Sequence, residues 1–407
     1  MVEKSIVSIA KGSDVQSLVD KALSLLGGLE SFVKPGASVV VKPNVGHPAP
    51  PETSVNTNPA VVAAVIAAIR RCKPKEIILA EASGVRMDTL KALDVSGIGR
   101  AAKDAGVDRI VDIKRLKTED VVEVKVPKHS QIPSFRLPRF LVDADCVIAV
   151  PIFKTHITMT YTGVVKAMKG TVDDKMHRRM HFVQLGEALF DLLAVSPVHL
   201  AIVDMIRPQE GLGPMTTGTP IDFGAIVAGT DPVAVDATCC RVAGIVPEKT
   251  YLRFGAERGL GIMAEDLIEI RGKSIKEVYR KFATPFLDTK GFGDFVGYSV
   301  FDENACSSCL AGVTAALDAL RKMGPKYEEY KGISIVFGAK KALPEKAARG
   351  KNLILIGNCV EKFRGQGVMV PGCPPMGSPI MWGITKREDQ EEELIPVETW
   401  KEEAKDL

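Results

Sequence analysis

Residues 147–170 read VIAVPIFKTHITMTYTGVVKAMKG, and the reading of this stretch decides the fold. Val147, Ile148, Ala149 and Val150, closed by Pro151, have the shape of a short buried strand. Lys154, Thr155 and His156 follow directly, then Thr158, Thr160, Tyr161 and Thr162. Gly163 precedes a predicted helical turn carrying Lys166 and Lys169, and Gly170 stops it. From Lys154 to Gly170 there are three lysines, one histidine and no acid. In an open α/β sheet, ligands sit beyond the carboxyl ends of the strands. The basic loop is therefore a candidate anion site, with a solvated loop of surface lysines as the competing reading.

Working outward, the chain alternates. Strands are expected at 5–10, 37–44, 76–84 and 108–113, with helices at 14–27, 58–71 and 96–105 between them. Asn58 is placed to cap the second helix and Pro59 to start it. This order predicts a large, mainly parallel sheet with helices on both faces. Residues 121–140 alternate differently and suggest a small antiparallel excursion. Beyond the basic loop come a strand at 199–206, a glycine-rich segment at 210–220, a strand at 222–229 and a helix opened by Asp231 and Pro232. The expected domains are an α/β core over 1–282, a connector over 283–303, a smaller α/β unit over 304–385 and an acidic tail over 386–407.

The 407 residues are 46% hydrophobic and 25% charged, the usage of a globular chain with ample core material. Fifty-three basic against 50 acidic side chains leave a net charge of +3, which favours neither nucleic acid nor an anionic membrane as partner. The first residues lack a signal-peptide shape, and no run approaches the roughly 18 apolar residues of a membrane span. A cytoplasmic protein is expected. Neither a phosphate-binding P-loop nor a GxGxxG after a strand is present.

Eight cysteines divide into two groups. Cys72, Cys146, Cys239 and Cys240 sit among apolar neighbours, as small core residues do. Cys306, Cys309, Cys359 and Cys373 are confined to the C-terminal segment. Cys306 and Cys309 form a CxxC at a helix start, where the dipole favours thiolates. Cys359 follows the apolar run NLILIG through Asn358, and Cys373 follows VMVP within PGCPP. One loop and two strand ends of a small parallel sheet can bring four thiolates together, which suits an iron–sulfur cluster, with zinc as the alternative.

These residues resemble known families. GNC followed by VMVPGCPP is similar to the cluster-binding pattern of nickel–iron hydrogenase small subunits and their relative in respiratory complex I. There a CxxC, a GxC at a strand end and a PGCPP hold a [4Fe-4S] cluster in a flavodoxin-like domain. The likeness implies the same ligand role for Cys306, Cys309, Cys359 and Cys373 and favours iron–sulfur over zinc. The first domain resembles the family called domain of unknown function 362, often described as iron–sulfur-centre proteins. The matching pieces are VKPN (41–44), TNPAVVAAVIAAIRR (57–71), ILAEASG (78–84), the basic stretch 151–170, DMIRPQEGLGP (204–214) and IVAGTDPVAVDATCCRVAG (226–244). That family more often carries a ferredoxin-type insert with tightly spaced cysteines, which this chain lacks.

Several chemically able residues stand where strands end: Lys42 and Asn44, Glu81 and Ser83, Lys154, Thr155 and His156, and Asp204 followed by Glu210. Lysines at the ends of apolar strands need an anionic partner, either Glu81 or Asp204 within the protein or a ligand carboxylate or phosphate. Lys42, Lys154, His156 and Lys169 are the candidate catalytic groups. Asn44, Glu81, Ser83, Thr155, Asp204 and Glu210 are the candidate substrate contacts. His156 is either a general acid–base group or a hydrogen-bonded core residue. His177 and His181 share a helix face and read as surface histidines, and Asp231 reads as an N-cap. The expected function is an iron–sulfur oxidoreductase or electron-transfer enzyme acting on a small anionic substrate. A non-redox isomerase or ligase-like enzyme with a structural metal is the alternative. Such a protein admits an electron donor such as a ferredoxin, and assembly as a homo-oligomer.

Overall fold

The computed structural model describes residues 4–284, 297–305, 307–322, 329–338, 340–372, 375 and 377–388. They fall into two compact units, 1–180 with 184–285, and 181–183 with 286–407.

The strands of the first unit are β1 (Ser5–Lys11), β2 (Ser38–Pro43), β3 (Glu76–Glu81), β4 (Arg109–Asp112), β5 (Val121–Lys125), β6 (Ser134–Pro138), β7 (Cys146–Val150), β8 (Ile152–His156), β9 (Thr160–Thr162), β10 (Leu200–Gly211), β11 (Gly218–Pro220), β12 (Ala225–Gly229) and β13 (Ile268–Gly272). The main sheet runs β13-β1-β12-β10-β7-β2-β3-β4. Every neighbouring pair along it is parallel except the two made by β12, which opposes both β1 and β10. β5 and β6 form a separate antiparallel pair, the excursion expected at 121–140.

The central strands are apolar throughout because both faces are covered. Val39, Val41, Ile77, Leu79, Ile148 and Val150 pack against the helices Val15–Leu25 and Pro59–Arg71. Val40, Ile78, Ala80 and Val147 pack on the other face with Leu141. Asn58 caps the second helix by accepting from the Ala60 N–H, and Asp231 caps a later one (Pro232–Val242) by accepting from Val233 and Ala234.

The structure departs from the sequence reading at the basic stretch. Lys154, Thr155 and His156 are not in a loop but in β8. Pro151 has no N–H and ends the β7 ladder, yet its carbonyl accepts the Asp204 N–H at 2.8 Å, and the β-branched and aromatic residues after it resume pairing. β8 pairs antiparallel with β9, with Lys154 opposite Thr162 and His156 opposite Thr160. It also runs beside β10, which continues to Gly211 instead of stopping near 206. The two are out of step: Asp204 faces Ile152 and Gln209 faces Lys154. Five steps on β10 against two on β8 leave three extra residues, a wide bulge.

The second unit contains β14 (Tyr298–Phe301), β15 (Ile333–Phe337), β16 (Gly350–Ile356) and β17 (Gly367–Val370), parallel and in chain order across the sheet. Among the described residues there is no strand exchange of the flavodoxin kind. The helices Ser307–Lys322 and Gly377–Lys386 cover one face, burying Val313, Leu317, Leu320, Ile380 and Ile384 on Ile335, Ile354 and Val370. The other face meets Val360 and Phe363 of the short turn after β16.

Candidate functional site

Lys42 and Glu81 end the adjacent strands β2 and β3, and both are buried. Lys42 Nζ donates to Glu81 Oε2 at 2.8 Å and to the Pro43 carbonyl at 2.8 Å. Glu81 also accepts the N–H groups of Val45 and Ala82, each at 2.9 Å. Burial pushes the Glu81 carboxyl up to about 7 against the pull of Lys42. Gly170 closes the pair off. A Cβ on Gly170 would fall 1.9 Å from Glu81 Oε1 and 2.7 Å from Lys42 Nζ, so only glycine lets this backbone approach.

Lys154 is 3% exposed and differently placed. Its ammonium donates to the Val55 carbonyl at 2.6 Å, and among the described residues it forms no ion pair. Burial, with Lys166 nearby, lowers its pKa to about 7 against the attraction of Glu81. Lys166, on the turn Val164–Ala167, is half-buried, and desolvation lowers it to about 8. Lys169 follows on the same connection and is buried. All three ammonium groups act on His156: burial drives its pKa well below the usual range, and Lys166, Lys154 and Lys169 all push the same way. His156 Nδ1 accepts the N–H groups of Thr158 at 3.1 Å and Met159 at 3.3 Å. A neutral ring accepting at Nδ1 carries its proton on Nε2.

Asp236 anchors this group, a role the sequence reading did not assign. Its carboxylate accepts from Val164 N at 2.7 Å, Val165 N at 3.1 Å and the Tyr161 hydroxyl at 3.2 Å. It thereby caps the turn that carries Lys166. Burial nonetheless raises it to about 7. Tyr161 is held in turn by stacking on Tyr251, with ring centroids 4.9 Å apart. The sequence signal for Asp236 was present, an acid inside an apolar helix, but nothing local says what it faces.

The remaining expected contacts divide. Asn44 Oδ1 is buried without a hydrogen-bond partner among the described residues. Ser83 donates to the Val45 carbonyl and is a loop tie. Thr155 donates to the Gly211 carbonyl at 2.8 Å, and strand alternation puts it on the face opposite Lys154 and His156. Asp204 is fully buried, accepts from Asn58 N at 2.8 Å and Ile206 N at 2.9 Å, and is raised to about 6 by burial. Glu210 accepts from Arg280 at 3.3 Å and Ala283 N at 3.0 Å, which holds it apart from the lysines. His177 is not a surface residue: it is 4% exposed, and Nε2 bonds the Lys169 carbonyl at 2.6 Å. The helix Asp174–Phe182 turns that side inward.

Of the four C-terminal cysteines, Cys306 and Cys373 lie outside the described residues. Cys309 is buried in the first turn of Ser307–Lys322, and Cys359 is half-buried directly after β16. A Cβ on Gly357 (φ +87°) would lie 3.5 Å from Cys309 Sγ, so that sulfur rests on the loop bearing Cys359. The same loop is tied to the segment before Cys373. Asn358 N donates to the Gly372 carbonyl at 3.1 Å, and Gly372 N donates to Asn358 Oδ1 at 2.7 Å. Among the described residues, no three His, Cys, Asp or Glu side chains are grouped to hold a metal.

The larger unit is thus an α/β sheet domain that gathers cationic side chains at its strand ends. Residues 39–241 match the family described as Domain of unknown function (DUF362), the family that the sequence resembles. The thylakoid-associated protein sll1697 of Synechocystis sp. (strain ATCC 27184 / PCC 6803 / Kazusa) is 29% identical over 261 residues, 59% of this chain and 73% of that protein. Among solved structures, the lactate racemase apoprotein of Thermoanaerobacterium thermosaccharolyticum aligns with TM-score 0.40 and 12% identity over 60% of this chain and 58% of its own. A protein of Thermotoga maritima aligns with TM-score 0.38 and 14% identity over 57% and 60%. The alignments span less than two thirds of either structure. No helix among the described residues is long and apolar enough to cross a membrane.

Proposed function

We propose that the chain is a cytoplasmic iron–sulfur enzyme that binds a small anionic substrate against Lys154, Lys166 and Lys169. Cys306, Cys309, Cys359 and Cys373 would hold a [4Fe-4S] cluster. Lys154 carries the reading of the substrate site. A buried ammonium without a carboxylate paired to it is costly, and Lys42 shows that this sheet can supply one. A substrate anion would fill that role. An amine with a pKa of about 7 exchanges its proton readily at neutral pH, so Lys154 is both binding group and proton carrier. The bound cluster would supply one-electron transfer, fed by a ferredoxin-like donor. Support for it is the packing of Cys309 Sγ on the Cys359 loop, together with the bonds joining that loop to Gly372.

Anaerobic purification with iron, sulfide and zinc analysis tests the cysteine half. Roughly four iron and four sulfide per chain are expected, with Cys309→Ser and Cys359→Ser losing both the iron and the broad visible absorption while Cys146→Ser keeps them. One zinc per chain, or iron retained in a Cys359→Ser/Cys373→Ser double variant, overturns the cluster. The second reading, a non-redox isomerase or ligase-like enzyme on a carboxylate, is favoured by the pairing of a near-neutral Lys154 amine with a neutral imidazole. Both groups move protons. A cluster that accepts no electron from a strong chemical reductant would select it.

A further inference from the structure

Lys166 differs from Lys154 and Lys169 in what holds its amine. Of residues 161–172 it alone is not buried. Asp236 fixes the base of its turn through the Val164 and Val165 N–H groups, so the backbone places the side chain. The amine itself makes no hydrogen bond and no ion pair among the described residues. Lys154, by contrast, is 3% exposed and donates to the Val55 carbonyl, and Lys169 is 8% exposed. Of the three, Lys166 is the amine that a ligand arriving from solvent meets without displacing a partner.

An ordinary exposed lysine stays hydrated and charged at neutral pH. Lys166 stands in a crevice that strips water from its amine and lowers its pKa to about 8. The uncharged amine is the nucleophile, and near pH 8 roughly half of Lys166 takes that form. Of the charges acting on Lys154 and on His156, Lys166 has the largest effect on each, which sets its amine close to both. Thr162 stands opposite Lys154 in the ladder of β8 and β9, where paired side chains share a face. Its Oγ1 is buried without a hydrogen bond among the described residues, and only Gly163, Val164 and Val165 separate it from Lys166. One short stretch of chain thus supplies a reachable amine beside an ammonium and a spare hydroxyl.

We propose that Lys166 forms an imine with the carbonyl group of its substrate, a 2-oxo acid whose carboxylate is met by Lys154 and Thr162. This proposal rests on the reading of Lys154 as an anion-binding group. The uncharged amine attacks the keto carbon, and a C–N bond forms as the carbonyl π pair moves onto oxygen. That oxygen leaves as water with both amine protons, and a neutral imine remains. No electron is gained or lost, so the step needs no oxidant or reductant.

The test is borohydride trapping: the full chain is incubated with pyruvate at about pH 8, reduced and digested, and its peptides are weighed. Borohydride gives a hydride to the imine carbon and fixes the adduct as a secondary amine. Lys166 should be labelled at least about tenfold faster than any exposed lysine. Succinate, an anion without a keto group, should slow the labelling, and methyl pyruvate, which keeps the keto group and loses the charge, should label more slowly. Lys166→Arg should lose the adduct while succinate still raises the melting temperature. An adduct on Lys154 or Lys169 instead, or one spread evenly over the exposed lysines, overturns the assignment. Labelling by methyl pyruvate as fast as by pyruvate, unaffected by succinate, overturns the 2-oxo acid. If succinate raises the melting temperature of wild type but not of Lys154→Met, and pyruvate leaves no adduct, the imine falls and the Lys154 reading stands. If succinate causes no shift and pyruvate leaves no adduct, both fall.

Discussion

The ends of β2 and β8 each carry a buried lysine, and the sheet treats them in opposite ways. At the end of β2, Lys42 meets Glu81 at 2.8 Å, two backbone donors complete the carboxylate, and Gly170 seals the pair. At the end of β8, Lys154 donates to one carbonyl, is repelled by Lys166 and is attracted by Glu81 without pairing with it. The first arrangement is finished without a ligand and holds three connections together. The second is unfinished in charge and held in place by Asp236 from outside. A cation satisfied within the fold is structure, and one deliberately left short of a counter-charge is a binding group.

Breaking the finished pair should have the largest effect. Glu81→Gln leaves Lys42 buried and uncompensated, which costs about 3–5 kcal/mol. Urea unfolding should show this as a lower midpoint with the slope unchanged. Replacing both partners, Lys42→Met with Glu81→Leu, should recover most of the loss, because desolvation and attraction vanish together. If the single variant costs less than about 1 kcal/mol, water reaches the pair and the contrast with Lys154 collapses.

The unfinished end should respond with the opposite sign. The Lys154 pKa is lower in the fold, about 7 against an ordinary 10.5. Between those values the unfolded chain binds more protons, so stability rises with pH through that window. Near pH 7 the penalty is on the order of 4 kcal/mol. In anion-free buffer Lys154→Met should remove that slope. Because the Val55 carbonyl loses its donor, the net gain at pH 7 should be about 1–3 kcal/mol. A variant less stable than wild type at neutral pH would show that Lys154 already has a partner.

How far this contrast could be read in advance depended on the kind of information needed. Apolar runs such as Ser38–Pro43 and Glu76–Glu81 are buried on both faces, so they announced strands and a parallel sheet. Lys42 and Lys154 were conspicuous because charge at the end of such a run is costly. The direction of β12 was not legible, since periodicity carries no sign. Nor was β8, because Pro151 reads as an end and only the displaced β10 ladder makes it a restart. Asp236 lies 72 residues from Val164 along the chain, and no local pattern tells a capping carboxylate from an ordinary polar residue. His177 misled because its neighbours Arg178 and Arg179 suggested a solvated face.

A finer probe of the unfinished end is the pH dependence of anion binding. Lys154 and Lys166 lose their protons near 7 and 8 in the empty site, and only the charged forms attract an anion. Succinate affinity should therefore fall as pH rises above neutrality, approaching about tenfold per pH unit where one proton must be taken up with the ligand. Isothermal titration in buffers of differing ionisation enthalpy would count that proton. A flat profile from pH 6 to 9 would mean that neither lysine titrates with the ligand.

The smallest effect should come from His156, and its smallness is the point. The ring stays neutral because burial and three ammonium groups oppose its protonation, so it adds nothing to the charge that draws an anion. Its Nδ1 is engaged by the Thr158 and Met159 N–H groups, and an asparagine oxygen can take over that role. His156→Asn should thus cost about 1–2 kcal/mol in stability through lost packing and leave succinate affinity within about twofold. The binding profile between pH 5 and 7 should be superimposable on that of wild type, with no inflection near the ordinary histidine value of about 6.5. An inflection there that disappears in the variant would mean that His156 gains a proton as the anion arrives. The contrast would then shift from lysines alone to a lysine–histidine site whose charge the ligand itself sets.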